Sequence, residues 1–164
     1  MKGDFLNLLN KLTRAGVDFV IIGGFAGVAH GCTYVTQDID ICCDFSVDNL
    51  LRLQKAVKDL HPVNRMTPKK LKLQLSKENC ARLKNLYLDT DIAQLDCVSF
   101  VEGLGDYDKV KRLSETVNIE GTKLHVLGLE ALIEAKKAIN RPRDKEAILQ
   151  LEAIKKQMQK DCEK

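Results

Sequence analysis

The chain has 164 residues, of which 45% are hydrophobic and 30% are charged, as is ordinary for a water-soluble globular domain. Its formal net charge of +3 is too small to indicate a general basic surface for nucleic acid. The sequence has no apolar run of the ~18 residues needed to span a membrane, and its N-terminus lacks the layout of a signal peptide. We therefore expect one cytoplasmic domain over residues 1–164 that does not contact a membrane.

The six cysteines do not form a zinc-binding pattern, because no Cys-x-x-Cys pair occurs and the three histidines have no matching spacing. Cys42, Cys43 and Cys97 lie in apolar, strand-like runs, where cysteine acts as a small core hydrophobe. Without a secretory signal, these thiols are expected to stay reduced in the cytosol.

Hydrophobic spacing and helix caps predict the elements of the first half of the chain. Asp4 is expected to cap a first helix that ends at Gly16, and Ser46 to cap a later helix that ends before Pro62. Between these two helices we predict a strand over 19–22, a short helix over 25–30, a loop over 31–37 and a strand over 39–43.

The second half of the chain is predicted to add strands, a hairpin and two C-terminal helices. Leu71, Leu73 and Leu75 alternate with polar residues, which indicates a strand. The other predicted elements are strands over 86–88 and 95–98 joined by a turn at 90–93, a loop over 103–105, a hairpin over 115–126, and helices that begin at Gly128 and Pro142 and extend to about Gln159.

A pair of carboxylates marks the second predicted strand. Residues two apart in a strand point to the same face, so Asp38 and Asp40 project together while Ile39 and Ile41 turn into the core. Two adjacent carboxylates repel each other unless a cation lies between them, and oxygen-only ligands suit Mg²⁺. Taken alone, the pair fits a solvated strand end as well as a metal site, and the metal site is favoured only together with the two glycines that precede it.

Two glycines precede this pair and follow the first predicted strand. Gly23 and Gly24 lead into the short helix, where backbone N–H groups without side-chain cover can bind an anion. A phosphate-binding turn next to a carboxylate pair is the arrangement that metal-assisted phosphoryl chemistry uses. The glycines could also form no more than a tight turn.

Taken in this order, the Gly-Gly turn, the helix and the Asp-x-Asp strand resemble the nucleotidyltransferase superfamily with the DNA polymerase β palm. The likeness is greatest to small bacterial nucleotidyltransferase-like proteins, including relatives of abortive-infection and toxin–antitoxin components, and it extends over about residues 19–154. It implies an α/β (α+β) fold, in which a small mixed sheet with flanking helices forms a minimal polymerase-β-like domain.

The resemblance also implies a third carboxylate on a neighbouring strand, and Asp96 occupies the matching position. Asp89 and Asp91 are rival candidates, although they lie at a predicted turn, where aspartate is common for local reasons. Lys136 and the run Arg141-Pro142-Arg143-Asp144 resemble the C-terminal part of the same proteins.

The function that the resemblance implies is Mg²⁺-dependent transfer of a nucleoside monophosphate from a nucleoside triphosphate to a hydroxyl group. Two Mg²⁺ ions are expected, one held by Asp40 and Asp96 and one by Asp38 and Asp40, with Gly23 and Gly24 on the phosphates. The acceptor stays open between a small molecule, RNA and a protein. Two other readings stay open: a non-catalytic nucleotide-binding or toxin–antitoxin interaction module, and a structural homo-oligomer without nucleotide.

Two groups of basic residues have more than one interpretation. Lys136 falls near the apolar face of its helix, so it either extends to water or reaches a triphosphate. The basic stretch from Lys69 to Lys84 is either a solvated face or a contact with RNA or a phosphorylated substrate.

Overall fold

The computed structural model describes residues 2–163. Its helices are α1 (Lys2–Arg14), α2 (Gly23–Ala29), α3 (Val47–Val57), α4 (Lys77–Cys80), α5 (Tyr107–Arg112), α6 (Leu129–Ile139) and α7 (Lys145–Cys162), with 3₁₀ turns at Lys58–Leu60 and Pro142–Asp144. Its strands are β1 (Phe19–Ile22), β2 (Asp38–Cys43), β3 (Val63–Asn64), β4 (Asn85–Asp89), β5 (Gln94–Val98), β6 (Phe100–Val101), β7 (Gly105–Asp106), β8 (Ser114–Ile119) and β9 (Thr122–Leu127).

Seven of these strands form one mixed sheet in the order β3-β4-β5-β2-β1-β9-β8, while β6 and β7 pair separately. β2 runs antiparallel to β1 and parallel to β5, and β1 runs parallel to β9. Helices flank the sheet, as the fold class inferred from the sequence requires. The α/β architecture is therefore confirmed.

The core forms where apolar strand residues meet the apolar faces of the helices. Leu8, Leu9 and Leu12 of α1 are fully buried, as their spacing along one helix face predicts. The predicted core thiols Cys42, Cys43 and Cys97 are buried too, and each of them is free. Because β2 and β5 lie inside the sheet, this core fixes the positions of both strands that carry the candidate carboxylates.

Helix ends follow the expected chemistry in most places. Gly16 takes a left-handed φ of +76° and donates to the Thr13 carbonyl at 3.1 Å, which ends α1. The Ser46 side chain accepts from the backbone N–H of Asn49 at the start of α3. Asn49 is itself buried, and it binds the backbone of both Asp18 and Asp44. It thus ties α3 to the ends of β1 and β2.

Several predicted boundaries are corrected by the structure. α1 begins at Lys2, so Asp4 lies in its first turn and does not cap it. α2 begins at Gly23 and not at Phe25. The last helix continues to Cys162, beyond the predicted end at Gln159, and Pro142 opens a 3₁₀ turn before it.

The strand predicted from the alternating leucines does not form. Only an isolated bridge joins Lys72 to Val63 in this segment. Leu73 and Leu75 still pack on the core while Leu71 is exposed, which explains the alternation without a strand ladder. The predicted 90–93 turn and the 115–126 hairpin are both present. Among the helices of residues 2–163, none combines the length and the apolarity that crossing a membrane requires.

Candidate active site

Three carboxylates converge on one face of the central sheet. The parallel pairing of β2 with β5 places Asp40 directly opposite Asp96, and Asp38 lies two residues earlier on the same face of β2. One oxygen from each of Asp38, Asp40 and Asp96 lies within 4.8 Å of the other two. The structure therefore brings together the three carboxylates singled out from the sequence.

Asp40 bears most of the electrostatic cost of this arrangement. Burial and the adjacent charges of Asp38 and Asp96 raise the pKa of Asp40 to about 7, while the charge of Lys136 opposes the rise. The energetic cost of ionising Asp40 falls if a cation is bound among the three groups. Asp40 is therefore the carboxylate of the three whose ionisation a nearby cation would favour most.

The Gly-Gly turn lies directly against these carboxylates. Gly23 has a left-handed φ of +67°, and a Cβ at this position would overlap the carboxylate of Asp40. A Cβ on Gly24 would lie 2.9 Å from the hydroxyl oxygen of Thr36. The residue before α2, Ile22, provides no side-chain cap. Gly23 therefore permits the turn to lie next to Asp40, and Gly24 permits it to lie next to Thr36.

Basic side chains line the same cleft as the three carboxylates. The cleft has a volume of about 490 Å³. Besides the carboxylates and both glycines, its lining includes Lys136, Arg141, Arg143 and Asp144. A ligand in this space would meet carboxylates and cations at once, which suits a polyphosphate with bound metal.

Asp144 holds two of these cations in place. It is buried and accepts from Arg141 Nε at 2.7 Å, and Lys136 Nζ lies 3.5 Å from its other oxygen. Burial favours the neutral carboxyl, but the Arg141 hydrogen bond and the Lys136 charge outweigh it and lower the pKa of Asp144. Lys136 is itself 7% exposed, so it does not extend to bulk water. Asp144 and Arg141 thus take part in the cleft wall besides starting a helix.

The rival carboxylates lie outside the three-aspartate group. Asp91 contacts the ring of His61 at 2.6 Å. Asp89 pairs with Lys70 at 3.2 Å and lies 3.7 Å from Arg65. Sequence reasoning did not identify Arg65, which bonds to Asp96 itself. The basic residue paired with Asp96 therefore precedes the predicted basic stretch.

Comparisons with solved structures show what fold this is. The lincosamide antibiotic adenylyltransferase LnuA, solved with lincomycin bound, aligns with 94% of this chain and 98% of its own at a TM-score of 0.64 and 16% identity. ANT(2")-Ia in complex with adenylyl-2"-tobramycin aligns over 92% and 88%, at a TM-score of 0.58 and 15% identity. A protein of Thermotoga maritima assigned as a nucleotidyltransferase aligns over 98% and 96%, at 0.54 and 17% identity.

No protein-family model matches the sequence, and a search of curated proteins gives no significant match. The likeness at these identities concerns the fold, and it confirms the polymerase-β-like nucleotidyltransferase fold that the sequence predicted.

Proposed function

We propose that the protein is a Mg²⁺-dependent nucleotidyltransferase that moves a nucleoside monophosphate from a nucleoside triphosphate to a hydroxyl group. The observation that carries this proposal is the convergence of Asp38, Asp40 and Asp96 in a cleft that basic side chains also line. The donor set consists of carboxylate oxygens alone, as Mg²⁺ prefers, and burial together with the charges of Asp38 and Asp96 raises the pKa of Asp40. These residues fit the metal that the fold implies.

The reaction exchanges a phosphoanhydride bond of the triphosphate for a phosphate ester bond to the acceptor. The acceptor hydroxyl loses its proton to solvent, its oxygen forms a bond to the α-phosphorus, the bond from the α-phosphorus to the bridging oxygen of the β-phosphate breaks, and pyrophosphate leaves with the electron pair. Bound Mg²⁺ would lower the pKa of the acceptor hydroxyl and neutralise charge on the phosphates. Asp38, Asp40 and Asp96 would hold the metal. Asp38 and Asp40 would be contributed by β2, and Asp96 by the neighbouring strand β5.

The protein's own groups would position the triphosphate in the cleft. Gly23 and Gly24 line it at the start of α2, where backbone N–H groups would bind a phosphate. Lys136, Arg141 and Arg143 line the same cleft, so they can neutralise phosphate oxygens. The ion pair with Asp144 holds the Arg141 side chain in place before the substrate arrives.

For the acceptor, we propose a small hydroxyl-bearing molecule. Support comes from two neighbours of the same fold, LnuA and ANT(2")-Ia, whose structures contain lincomycin and an adenylylated tobramycin. Both align with most of this chain. RNA and protein acceptors are the other outcomes of the test.

The test is a transfer assay with each of the four α-³²P nucleoside triphosphates, Mg²⁺ and a panel of acceptors. The panel includes a lincosamide, an aminoglycoside, total RNA and the protein itself, and each reaction is repeated with EDTA. We expect Mg²⁺-dependent pyrophosphate release and label on one small-molecule acceptor. Binding of Mg²⁺–triphosphate without transfer to any acceptor would support the nucleotide-binding module instead, and absence of binding would remove the proposal.

A further inference from the structure

Arg65 is bound to the carboxylate that the proposed function requires as a metal ligand. Its Nη2 donates to Asp96 Oδ1, so the third carboxylate of the group is already paired with a cation. A metal ion at Asp96 would meet this positive charge directly. The inference below rests on the proposed function for the identity of Asp96 as a ligand, but its test does not need turnover.

The guanidinium of Arg65 is held over the sheet by contacts other than Asp96. Its Nη1 lies 3.4 Å from the carbonyl oxygen of Leu88, and its Cζ lies 5.8 Å from the ring centroid of Tyr87. Tyr87 is the residue of β4 directly opposite Asp96 on β5. The backbone N–H of Arg65 also donates to the Tyr87 carbonyl at 2.9 Å. These contacts keep Arg65 at the site if its bond to Asp96 is lost.

A second acceptor for Arg65 lies next to the first. Asp89 Oδ1 is 3.7 Å from Arg65 Nη1, while Asp89 Oδ2 pairs with Lys70 at 3.2 Å. Within residues 2–163, this Oδ1 is buried and makes no hydrogen bond. A buried acceptor without a donor is costly, so a small shift of the guanidinium from Asp96 to Asp89 would gain a bond there.

We propose that Arg65 is a positioning residue with two alternative partners. It pairs with Asp96 in the metal-free protein and with Asp89 once a divalent metal cation is bound at Asp96. When it is paired with Asp96, Arg65 neutralises that carboxylate and competes with the divalent cation. When it is paired with Asp89, Arg65 donates a hydrogen bond to the buried Asp89 oxygen and remains beside the cleft. Competition from Arg65 lowers the affinity of the free protein for a divalent cation, and Asp89 limits that loss.

The test is the affinity of the nucleotide-free protein for Mn²⁺, measured by the electron paramagnetic resonance signal of the free ion. Arg65→Met removes the competing charge and keeps the aliphatic stem, so Mn²⁺ should bind about tenfold more tightly. The control is Arg52→Met, which makes the same change of net charge. Arg52 lies on α3, is 3.8 Å from Asp18, and does not line the cleft.

Asp89→Ala provides an independent test with the opposite sign. Without its second acceptor, Arg65 stays on Asp96, so Mn²⁺ should bind several-fold more weakly. Because the loss acts through Arg65, it should shrink when Asp89→Ala is combined with Arg65→Met. If both residues acted only through their charge, the loss caused by Asp89→Ala would be the same with and without Arg65→Met. This second variant also keeps the proposal testable if Arg65→Met does not fold.

The outcomes separate this inference from the proposed function. Unchanged or weaker Mn²⁺ binding by a folded Arg65→Met protein overturns the role of Arg65, whatever the transfer assay shows. Opposite shifts in the two variants, with the loss caused by Asp89→Ala shrinking in the Arg65→Met background, support it even if no acceptor is ever labelled. Absence of Mn²⁺ binding in every variant would overturn the metal site and Arg65's part in it together.

Discussion

Gly23 lies so close to the carboxylate of Asp40 that any side chain at position 23 would take the space of Asp40 Oδ2. The same residue has a backbone φ of +67°, which residues other than glycine rarely adopt. The turn before α2 and the central carboxylate of β2 are therefore built against each other.

Replacing Gly23 with alanine should displace Asp40 and weaken Mn²⁺ or Mg²⁺ binding at least tenfold. The left-handed backbone adds a stability cost of about 1–2 kcal/mol. Gly121→Ala is the matched control, because Gly121 has a φ of +87° and a Cβ there would meet no atom of residues 2–163 within 4 Å. It should lose about the same backbone energy and keep its metal affinity. Equal metal affinity in both variants would show that Gly23 serves the turn alone.

A second prediction concerns the pH dependence of stability in the metal-free protein. The ordinary pKa of Asp40 is 3.8, and in the folded protein it is raised to about 7. Between these two values the folded state binds more protons than the unfolded state, so the free energy of unfolding falls as pH rises. One unit of pKa corresponds to about 1.4 kcal/mol, so the loss is up to about 4 kcal/mol.

Asp40→Asn removes this loss. In EDTA it should be more stable than the native protein at pH 8, with the difference vanishing as the pH falls toward 4, in urea unfolding followed by circular dichroism. Addition of Mg²⁺ at pH 8 should stabilise the native protein and not the variant. Asp108→Asn, at an exposed position on α5, controls for the change in charge. Parallel stability curves for native protein and Asp40→Asn would contradict the prediction.

The sequence was sufficient for the central elements because their signals are local. Phe19–Ile22 and the Asp38–Cys43 run are apolar and bounded by turn residues, and the structure has both as neighbouring strands. The short helices α4 and α5 were missed, since four and six residues cannot show a helical period. Both begin at capping side chains, Ser76 and Asp106, and these were the available signals.

The residues of the candidate site were predictable only where they lie close to one another in the sequence. Asp38 and Asp40 identify themselves by spacing, and the pairing of β2 with β5 then determines which later aspartate joins them. Arg65 gave no such signal. It follows the two-residue strand β3 and lies 31 residues from Asp96, so their contact depends on the β3-β4-β5 order of the sheet.

The third prediction concerns the basic residues that line the cleft. Lys136 is buried beside Asp144 in the cleft, and its charge is felt at Asp40. Lys136→Met should weaken triphosphate binding by about 10–100-fold, because a buried cation facing the phosphates is lost. The adjacent Lys137 pairs with Glu152 at 2.6 Å on the outer surface, so Lys137→Met is the control. Calorimetric titration with each Mg²⁺–triphosphate would measure both, and equal affinities would remove Lys136 from the binding site.

The last prediction separates an enzyme from a binding module. Asp38 and Asp40 lie on one strand and can hold the cation that accompanies the nucleotide, while Asp96 reaches the group from β5. Asp96→Ala should therefore reduce transfer far more than nucleotide affinity. A loss of about 4 kcal/mol of transition-state stabilisation corresponds to roughly a thousandfold in rate.

Asp91→Ala is the matched control for this prediction, because Asp91 contacts His61 and lies outside the three-carboxylate group. It should retain both transfer and binding. The two quantities are measured separately, transfer as labelled product in a single turnover and affinity by titration of the Mg²⁺–triphosphate. If Asp96→Ala transfers as fast as the native protein while Asp91→Ala does not, the third ligand is Asp91, and the convergence of Asp96 with Asp38 and Asp40 does not serve catalysis.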